Sequence, residues 1–352
     1  MKKIIAIIGA RPQFIKHAPI DFAFRNRFQL ITLHTGQHYD QNMSQIFFDE
    51  LGMNKPDYQL QTGGGLHGAQ TGKMLELIEP ILLAESPDAV LVYGDTNSTL
   101  AGALSASKLN IPVIHLEAGL RSFNRTMPEE INRVLTDHLS SLLLAPTSVA
   151  IQHLKNEGIT SNVYLTGDVM CDMLHLAKDY AVQEPEKVGE YYYATIHRPY
   201  NTDQDERLIF ILQTFNQLDK KVVFAIHPRT EAKMNQMGLS TSSFPQIEFI
   251  PPAGYFENVK WMSNARAIIT DSGGIQKEAY MLQKKCITIR PETEWLETLE
   301  GNWNHLIFED LHQMPTLLKV QAHNHKESLY GNGKAAYEIA DIIEKFLETS
   351  HR

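Results

Sequence analysis

Short apolar runs alternate with amphipathic segments along nearly the whole chain. The runs have the length of buried parallel strands, and the segments between them have the spacing of helices that pack on a sheet. The predicted strands are Ile4–Ile8, Leu30–Leu33, Ala89–Tyr93, Val113–His115, Leu142–Leu144, Val163–Leu165, Tyr191–Thr195, Lys221–Ile226, Ile247–Ile250, Ala267–Thr270, Cys286–Ile289 and the less apolar His305–Phe308. The clearest predicted helices are Leu66–Glu85, Asn97–Lys108, Glu129–Leu139 and Val149–Asn156. This alternation predicts an α/β fold with helices on both faces of parallel sheets.

The length of 352 residues exceeds one typical domain and predicts two. The charged segment Val182–Glu190 contains Pro and Gly and is the best candidate for a linker. We therefore expect a Rossmann-like domain at 1–181 and a second at 190–332, facing each other across a cleft. The last segment, 333–352, is expected to form a helix that can return to the first domain.

Composition narrows the class of protein. A formal net charge of −9 argues against nonspecific nucleic-acid binding, and 43% hydrophobic residues are enough for packed cores. No segment approaches the roughly 18 apolar residues of a membrane span. Cys171 and Cys286 are far apart, which predicts buried thiols in a reducing cytoplasm rather than a disulfide framework or a zinc site.

Acidic residues follow two of the predicted strands. Asp95 comes after Ala89–Tyr93, and Glu117 comes after Val113–His115, so parallel pairing would bring both to one edge of a sheet. Glu129 follows Pro128, which suits the first turn of a helix. Converging carboxylates are typical of proton transfer. The alternatives are that Asp95 only caps the next helix and that Glu117 is a loop residue paired with Arg121.

Two turns are suited to binding an anion. After the first strand, Gly9 permits a tight turn, and Arg11 and Lys16 supply positive charge; a simple packing turn is the alternative. The sequence there is not the GxGxxG pattern of dinucleotide-binding proteins. The stronger case is the segment Asp271–Glu278, which follows an apolar strand. Its helix-capping serine, its two glycines and its last carboxylate are expected to bind phosphate and ribose, and they are Ser272, Gly273, Gly274 and Glu278.

Two histidines end strands of the second half, His197 before Arg198 and His227 before Pro228. A histidine at a strand end can bind phosphate or transfer a proton, and an ordinary hydrogen-bonded role is the alternative. Neither has the neighbouring ligands of a metal site.

With these motifs in place, the chain resembles the non-hydrolysing UDP-N-acetylglucosamine 2-epimerase family. The matching segments occur in the family's order and cover most of the chain. They are Gly9-Ala10-Arg11-Pro12, Gly36-Gln37-His38, Tyr93-Gly94-Asp95-Thr96, Glu117-Ala118-Gly119-Leu120-Arg121, Pro128-Glu129-Glu130-Ile131-Asn132-Arg133, His197-Arg198, His227-Pro228 and Asp271-Ser272-Gly273-Gly274-Ile275-Gln276. The resemblance implies a GT-B-like fold, a homodimer, a UDP-sugar substrate, and neither a metal nor a redox cofactor.

The resemblance also implies a reaction and a set of roles. C2 of a UDP-2-acetamido sugar is inverted by removal of its proton, departure of UDP to leave a 2-acetamidoglycal, and re-addition of UDP after protonation of the opposite face. The catalytic group maps to Asp95, Glu117, Glu129 and His197. The residues that map to binding UDP are Arg11, Lys16, Ser272, Gly273, Gly274 and Glu278, and those that map to lining the cleft are Arg133 and His227.

Two segments depart from the commonest family pattern, His197-Arg198-Pro199-Tyr200-Asn201 and Thr293-Glu294-Trp295-Leu296-Glu297. The segment Arg290–Trp295 resembles the branch that acts on UDP-2,3-diacetamido-2,3-dideoxyglucuronate. In that reading Trp295 contacts the 3-acetamido methyl group, and Arg290 or Arg198 pairs with the 6-carboxylate. The alternative is a packed Trp295 and a structural ion pair at Arg290, with UDP-N-acetylglucosamine as substrate.

Three other functions use similar features. A GT-B glycosyltransferase has the same two-domain plan but needs an acceptor and does not need three carboxylates around C2. A hydrolysing epimerase would release free N-acetylmannosamine and UDP. A UDP-sugar sensor would bind without turnover.

Overall fold

The computed structural model describes residues 1–37, 51–181 and 189–349. Most of the predicted linker Val182–Glu190, and His38 of the Gly36-Gln37-His38 motif, lie outside these ranges. The chain forms two compact units. Unit 1 is Met1–Met173 with Ser328–Arg352, and unit 2 is Leu174–Glu327. The division therefore falls inside the helix Val169–Ala181 rather than after it, and the C-terminal segment groups with unit 1.

Unit 1 contains a sheet of seven parallel strands in the order β3-β2-β1-β4-β5-β6-β7. The strands are β1 Lys3–Ile8, β2 Gln29–His34, β3 Tyr58–Gln59, β4 Ala89–Tyr93, β5 Val113–Leu116, β6 Leu142–Ala145 and β7 Val163–Leu165. Its helices are α1 Arg11–Phe24, α2 His67–Glu85, α3 Asn97–Lys108, α4 Pro128–Leu139 and α5 Ser148–Asn156, and α6 Val169–Ala181 begins in unit 1 and ends in unit 2. Only β3 lacked a predicted counterpart, because it is two residues long, is not buried and carries no apolar run.

Unit 2 repeats this plan with six parallel strands in the order β10-β9-β8-β11-β12-β13. The strands are β8 Tyr191–Thr195, β9 Lys221–Ala225, β10 Ile247–Ile250, β11 Ala267–Thr270, β12 Lys285–Ile289 and β13 Asn304–Ile307. The helices are α7 Pro199–Thr202, α8 Asp205–Asn216, α9 Pro228–Gln236, α10 Tyr255–Asn264, α11 Gly273–Met281 and α12 Met314–Leu317, with 3-10 turns at Thr241–Ser243, Leu296–Asn302 and Leu311–Gln313.

The last helix, α13 Ala335–Thr349, belongs to unit 1. It buries Ile339, Ile343 and Leu347, which are spaced for one helical face. The Asp172 carboxylate in α6 accepts hydrogen bonds from the N–H groups of Ala335 at 3.2 Å and Ala336 at 2.9 Å, so it caps the start of α13. Among the described residues, no helix has the length and apolarity needed to span a membrane.

Both sheets are buried on both faces, which explains their continuously apolar strands. The core of unit 1 includes Ile5 and Val92, and that of unit 2 includes Phe224 and Ile269; all four are fully buried. In each sheet the strand order reverses at the centre, between β1 and β4 in unit 1 and between β8 and β11 in unit 2. Ligands of open α/β sheets bind at the carboxyl ends of the strands beside such a reversal.

Candidate active site

The turn from β1 to α1 lies at the strand reversal of unit 1 and is tightly packed. A Cβ atom at Gly9 would lie 2.1 Å from Ser98 Oγ, so only glycine fits there. The Gln13 side chain accepts from the N–H of Gly9 at 2.8 Å and donates to the carbonyl of Tyr93 at 2.8 Å. This amide therefore joins the turn after β1 to the turn after β4. Arg11 is the first residue of α1 and is half-buried.

Glu117 follows β5 in an unusual backbone conformation. Its φ is 70°, in the left-handed region that a non-glycine residue rarely adopts. Its carboxylate, which is buried, forms an ion pair with Lys16 of α1. A Cβ atom at Gly94 would lie 3.0 Å from Glu117 Oε2, so the carboxylate reaches the turn after β4. Strained residues of this kind cluster at functional sites.

Asp95 lies on the adjacent turn and is held through α4. Its carboxylate pairs with Arg133, whose guanidinium also donates to Glu130 at 3.1 Å. The side-chain amide of Asn132 donates to the Asp95 carbonyl at 2.9 Å. Helix α3 is capped by Thr96 instead of Asp95. The alternative that Asp95 only caps the next helix is therefore wrong, because the hydroxyl of Thr96 is the cap.

Glu129 lies in the first turn of α4 and is half-buried. Residues three and four positions apart share a helix face, so Glu129 shares its face with Asn132 and Arg133. Both of these residues bond to Asp95. The helix thus places Glu129 on the side of α4 that meets Asp95, and strands β4 and β5 are paired neighbours that present Asp95 and Glu117 at one edge.

The expected pairing of Arg121 with Glu117 is wrong. Arg121 is buried and donates to Asp137 at 2.7 Å and to Glu157 at 2.7 and 2.8 Å. Burial lowers the pKa of Arg121, but these two carboxylates outweigh it and raise the pKa above its ordinary value. Glu117 instead pairs with the ammonium of Lys16, because β1, which leads into α1, and β5 lie on either side of β4 in the sheet. The sequence does not reveal this proximity.

In unit 2, a buried carboxylate organises the turn that carries His197. Asp271 follows β11 and has no exposed surface. It accepts from the backbone N–H groups of His197 at 3.1 Å and Arg198 at 2.9 Å, and from the Asn201 amide at 3.0 Å. His197 Nδ1 also lies 3.2 Å from Asp271 Oδ1. Sequence reasoning missed this role, although an aspartate directly after an apolar strand was a usable signal.

His227 ends the neighbouring strand and caps α9. Its Nδ1 accepts from the N–H of Arg229 at 3.2 Å, and the side chain is exposed. The rings of His227 and His197 lie 6.1 Å apart between centroids. The structure thus brings both predicted histidines to the same end of the second sheet.

The start of α11 has the geometry expected of an anion site. Ser272 is its cap and accepts from the N–H of Ile275 at 3.5 Å. A Cβ atom at Gly274 would meet no atom nearer than Ser272 Oγ at 3.9 Å, so the backbone there is open. The first N–H groups of a helix have no acceptor within it and favour negative charge. Gly273 is buried, and Glu278 lies buried in the middle of the same helix.

The segment after β12 is packed more deeply than the sequence suggested. Trp295 is 3% exposed, and Lys277 Nζ lies 4.1 Å from its ring centroid. Arg290 is 2% exposed and donates to Glu294 at 2.9 Å. Burial lowers the pKa of Arg290, but Glu294 outweighs it, so the guanidinium stays charged inside an internal pair. The expectation that Trp295 and Arg290 present their side chains to a sugar is therefore not met, and the packing alternative describes both.

Within the described ranges, no three His, Cys, Asp or Glu side chains are grouped to hold a metal ion. The two Rossmann-like units, with ion-paired carboxylates in one and a glycine-rich helix start in the other, define a GT-B-like α/β enzyme. Comparison with known proteins narrows this class. The sequence profile of the UDP-N-acetylglucosamine 2-epimerase family matches residues 21–344. The chain belongs to this family, whose members are isomerases.

Relatives match over almost their full length. A UDP-N-acetylglucosamine 2-epimerase homolog of Methanococcus maripaludis is 46% identical over 97% of this chain and 99% of its own. The UDP-2,3-diacetamido-2,3-dideoxy-D-glucuronate 2-epimerase of Pseudomonas aeruginosa is 44% identical, again over 97% and 99%. The crystal structure of the Methanocaldococcus jannaschii UDP-GlcNAc 2-epimerase with UDP-GlcNAc and UDP has a TM-score of 0.90 and 42% identity, covering 98% of this chain and 100% of that one.

Proposed function

We propose that this enzyme inverts C2 of a UDP-2-acetamido sugar by eliminating UDP and adding it back. The observation that carries the proposal is the pair of carboxylates at the ends of β4 and β5. Asp95 and Glu117 follow paired strands, and each is held by a basic side chain. A reaction that removes a proton from one face of C2 and returns one to the other needs more than one acid–base group.

The proton transfers are assigned to unit 1. One carboxylate among Asp95, Glu117 and Glu129 takes the C2 proton while the C1–O bond to UDP breaks, and a C1–C2 double bond forms. A second group then protonates the other face, and a UDP oxygen re-forms the bond to C1. We assign His197 of unit 2, whose Nδ1 lies 3.2 Å from Asp271 Oδ1, as a further proton donor in addition to these carboxylates.

Binding of the departing UDP is assigned to the cationic and helix-start groups. Loss of a weakly acidic proton is assisted when the leaving diphosphate is stabilised by positive charge and backbone N–H groups. We assign Ser272, Gly273 and Gly274 to the phosphates and Glu278 to the ribose. Arg11 and Lys16 supply positive charge. Lys16 has three donors, so it can serve the diphosphate while retaining its ion pair with Glu117.

For the sugar itself, we propose UDP-2,3-diacetamido-2,3-dideoxyglucuronate. The 44% identical relative from Pseudomonas aeruginosa, which acts on this sugar, supports the proposal. Because Arg290 is committed to Glu294, the half-buried Arg198 is the remaining candidate partner for the 6-carboxylate. UDP-N-acetylglucosamine is the alternative, and it is supported by the 46% identical homolog and by the 0.90 TM-score structure. The family assignment disfavours a glycosyltransferase.

The test is a reaction with UDP-sugar alone in D2O, followed by NMR. We expect a UDP-linked epimer that carries deuterium at C2. Labelled oxygen in the C1–O–P bridge should scramble into nonbridging positions, because UDP departs and returns. Retention of the original proton together with an unscrambled bridge would exclude this mechanism, and free sugar plus UDP would indicate hydrolysis. We also propose a homodimer, for which light scattering should give twice the mass of the chain.

A further inference from the structure

Asp137 of α4 is a buried carboxylate that the reaction does not use directly. Its side chain has no exposed surface. It contacts three groups from the segment around Glu117. They are His115 Nδ1 at 2.7 Å, the Gly119 N–H at 3.1 Å and Arg121 Nη1 at 2.7 Å. One carboxylate thus holds the end of β5 and the loop that follows it.

The second nitrogen of His115 extends this network to the other turn. Nε2 donates to the carbonyl of Gly94 at 2.8 Å, and Gly94 immediately precedes Asp95. Because a carbonyl can only accept, this bond is donated by Nε2. A continuous set of hydrogen bonds therefore runs from Asp137 through His115 to the turn that carries Asp95.

The network surrounds a strained residue. Glu117 has a φ of 70° and Gly119 a φ of 83°. The N–H groups of Glu117 and Ala118 both donate to the Leu144 carbonyl, at 3.0 and 3.1 Å. A left-handed non-glycine residue persists only where its surroundings impose that conformation. The bond from Gly119 to Asp137 supplies the constraint on the far side of Glu117.

We propose that Asp137 is a positioning residue for the proton transfers. It holds Glu117 through His115 and Gly119, which lie two residues to either side, and it holds Asp95 through His115. This inference rests on the proposed function. Asp137 has no exposed surface, so its effect is on the placement of the two carboxylates. Since a displacement of about 1 Å in a catalytic group can cost about 100-fold in rate, a looser loop should lower kcat rather than weaken substrate binding.

Two substitutions weaken the bonds to Asp137 by different amounts. Asp137→Ala removes all three acceptor contacts. Asp137→Asn retains them, because its amide N–H can donate to a neutral His115 Nδ1 while its oxygen accepts from Gly119 and Arg121, but the bonds lose their charge assistance. Glu157→Gln is the matched control. It alters the other carboxylate partner of Arg121, which is partly exposed and has no bond to His115 or Gly119.

We expect kcat to fall about 100-fold or more in Asp137→Ala and about 10-fold in Asp137→Asn, with KM and UDP affinity within about threefold of wild type. In Glu157→Gln, kcat, KM and UDP affinity should each stay within about threefold of wild type. Asp137→Asn with wild-type kcat would overturn the proposal, as would equal losses of kcat and UDP affinity in both variants. Asp137→Asn keeps the test valid if Asp137→Ala does not fold.

Amide hydrogen exchange, measured without sugar, separates this proposal from the proposed function. The Gly119 amide should exchange at least about 10-fold faster in Asp137→Asn than in wild type or Glu157→Gln. Faster exchange in a chain whose wild type does not epimerise would support the constraint on Glu117 and refute the proposed function. Unchanged exchange beside an active wild type would refute the positioning role alone.

Discussion

Each unit has polar turns at the carboxyl edge of its own sheet, but the charged groups on these turns differ between the two units. In unit 1, the turns beside the strand reversal carry two carboxylates, each neutralised by a basic side chain. In unit 2, the corresponding turn opens a helix at Ser272, where Gly274 is exposed and Gly273 is buried. The carboxylate of this turn, Asp271, is buried and accepts from the backbone of the His197 turn. This contrast supports the proposal that unit 1 supplies the carboxylates for proton transfer and that unit 2 supplies the helix start that binds an anion.

Each unit also joins its two central turns with one buried polar side chain. Gln13 does so in unit 1 and Asp271 in unit 2. The amide of Gln13 accepts from one turn and donates to the carbonyl of the other, whereas the carboxylate of Asp271 accepts two backbone N–H groups of the turn after β8. The two units share a strand order, and this order fixes where their central turns lie. The donors and acceptors within each turn then decide which charge the turn can bind.

The largest effect is expected from removing the carboxylates of unit 1, which tests the different roles proposed for the two units. Asp95→Asn, Glu117→Gln and Glu129→Gln should each lower kcat by about 100-fold or more, the effect of losing a positioned acid or base. UDP affinity by calorimetry should remain near wild type. The same change at the exposed Glu76 of α2 is the control and should alter neither quantity. Variants that lose UDP affinity but keep turnover would reverse the assignment.

Acid should lower the free energy of unfolding, because the buried His17 of α1 becomes protonated. Burial lowers the pKa of His17, next to Lys16, from 6.5 to about 4, opposed by the charge of Asp21. A lowered folded-state pKa leaves stability complete above about pH 6.5, and stability declines as the pH falls toward about 4. At pH 5 the loss is about 2 kcal/mol. Denaturant unfolding at pH 7.5 and 5.0 should show this loss in wild type and less of it in His17→Gln; identical pH dependence would contradict it.

Anion binding should depend on the helix start of unit 2. Ser272→Ala removes the cap of α11, and Arg11→Ala removes a positive charge, so each should weaken UDP binding about 10-fold. Ser272→Thr retains a capping hydroxyl and should bind UDP within about threefold of wild type. Calorimetry with UDP measures all three variants. An unchanged affinity in Ser272→Ala would remove the helix start from the proposed site.

The smallest expected effect concerns the sugar. We expect kcat/KM for UDP-2,3-diacetamido-2,3-dideoxyglucuronate to exceed that for UDP-N-acetylglucosamine by at least about threefold, a modest ratio for one extra charged contact. Arg198→Ala should narrow the difference, while Arg229→Ala, at an exposed arginine paired with Asp203, should not. Equal or better use of UDP-N-acetylglucosamine would favour the alternative substrate.

Local pattern was sufficient for most of the fold. Strands such as Ala89–Tyr93 and Ala267–Thr270 have the predicted bounds, because buried parallel strands are continuously apolar. The cap at Ser272 was also predictable, since a helix start depends on its own few residues. The two-residue strand β3 was not, because it carries no such pattern.

Only the tertiary structure determined which charged side chains form ion pairs with each other. The sequence placed Arg121 near Glu117, yet the structure gives Glu117 the ammonium of Lys16 and gives Arg121 to Asp137 and Glu157. It also buries Trp295 against Lys277. Periodicity reports which face of an element is buried, but it does not report which distant elements become neighbours.

The sequence by itself therefore determined the α/β class, the parallel strands and the carboxylates that end two of them. Tertiary structure alone decided which cation meets each carboxylate, and it assigned holding roles to Asp137 and Asp271. The physical reason is that an ion pair depends on the distance between two side chains. That distance is fixed by strand order at the centre of each sheet, where residues far apart in the chain are brought together.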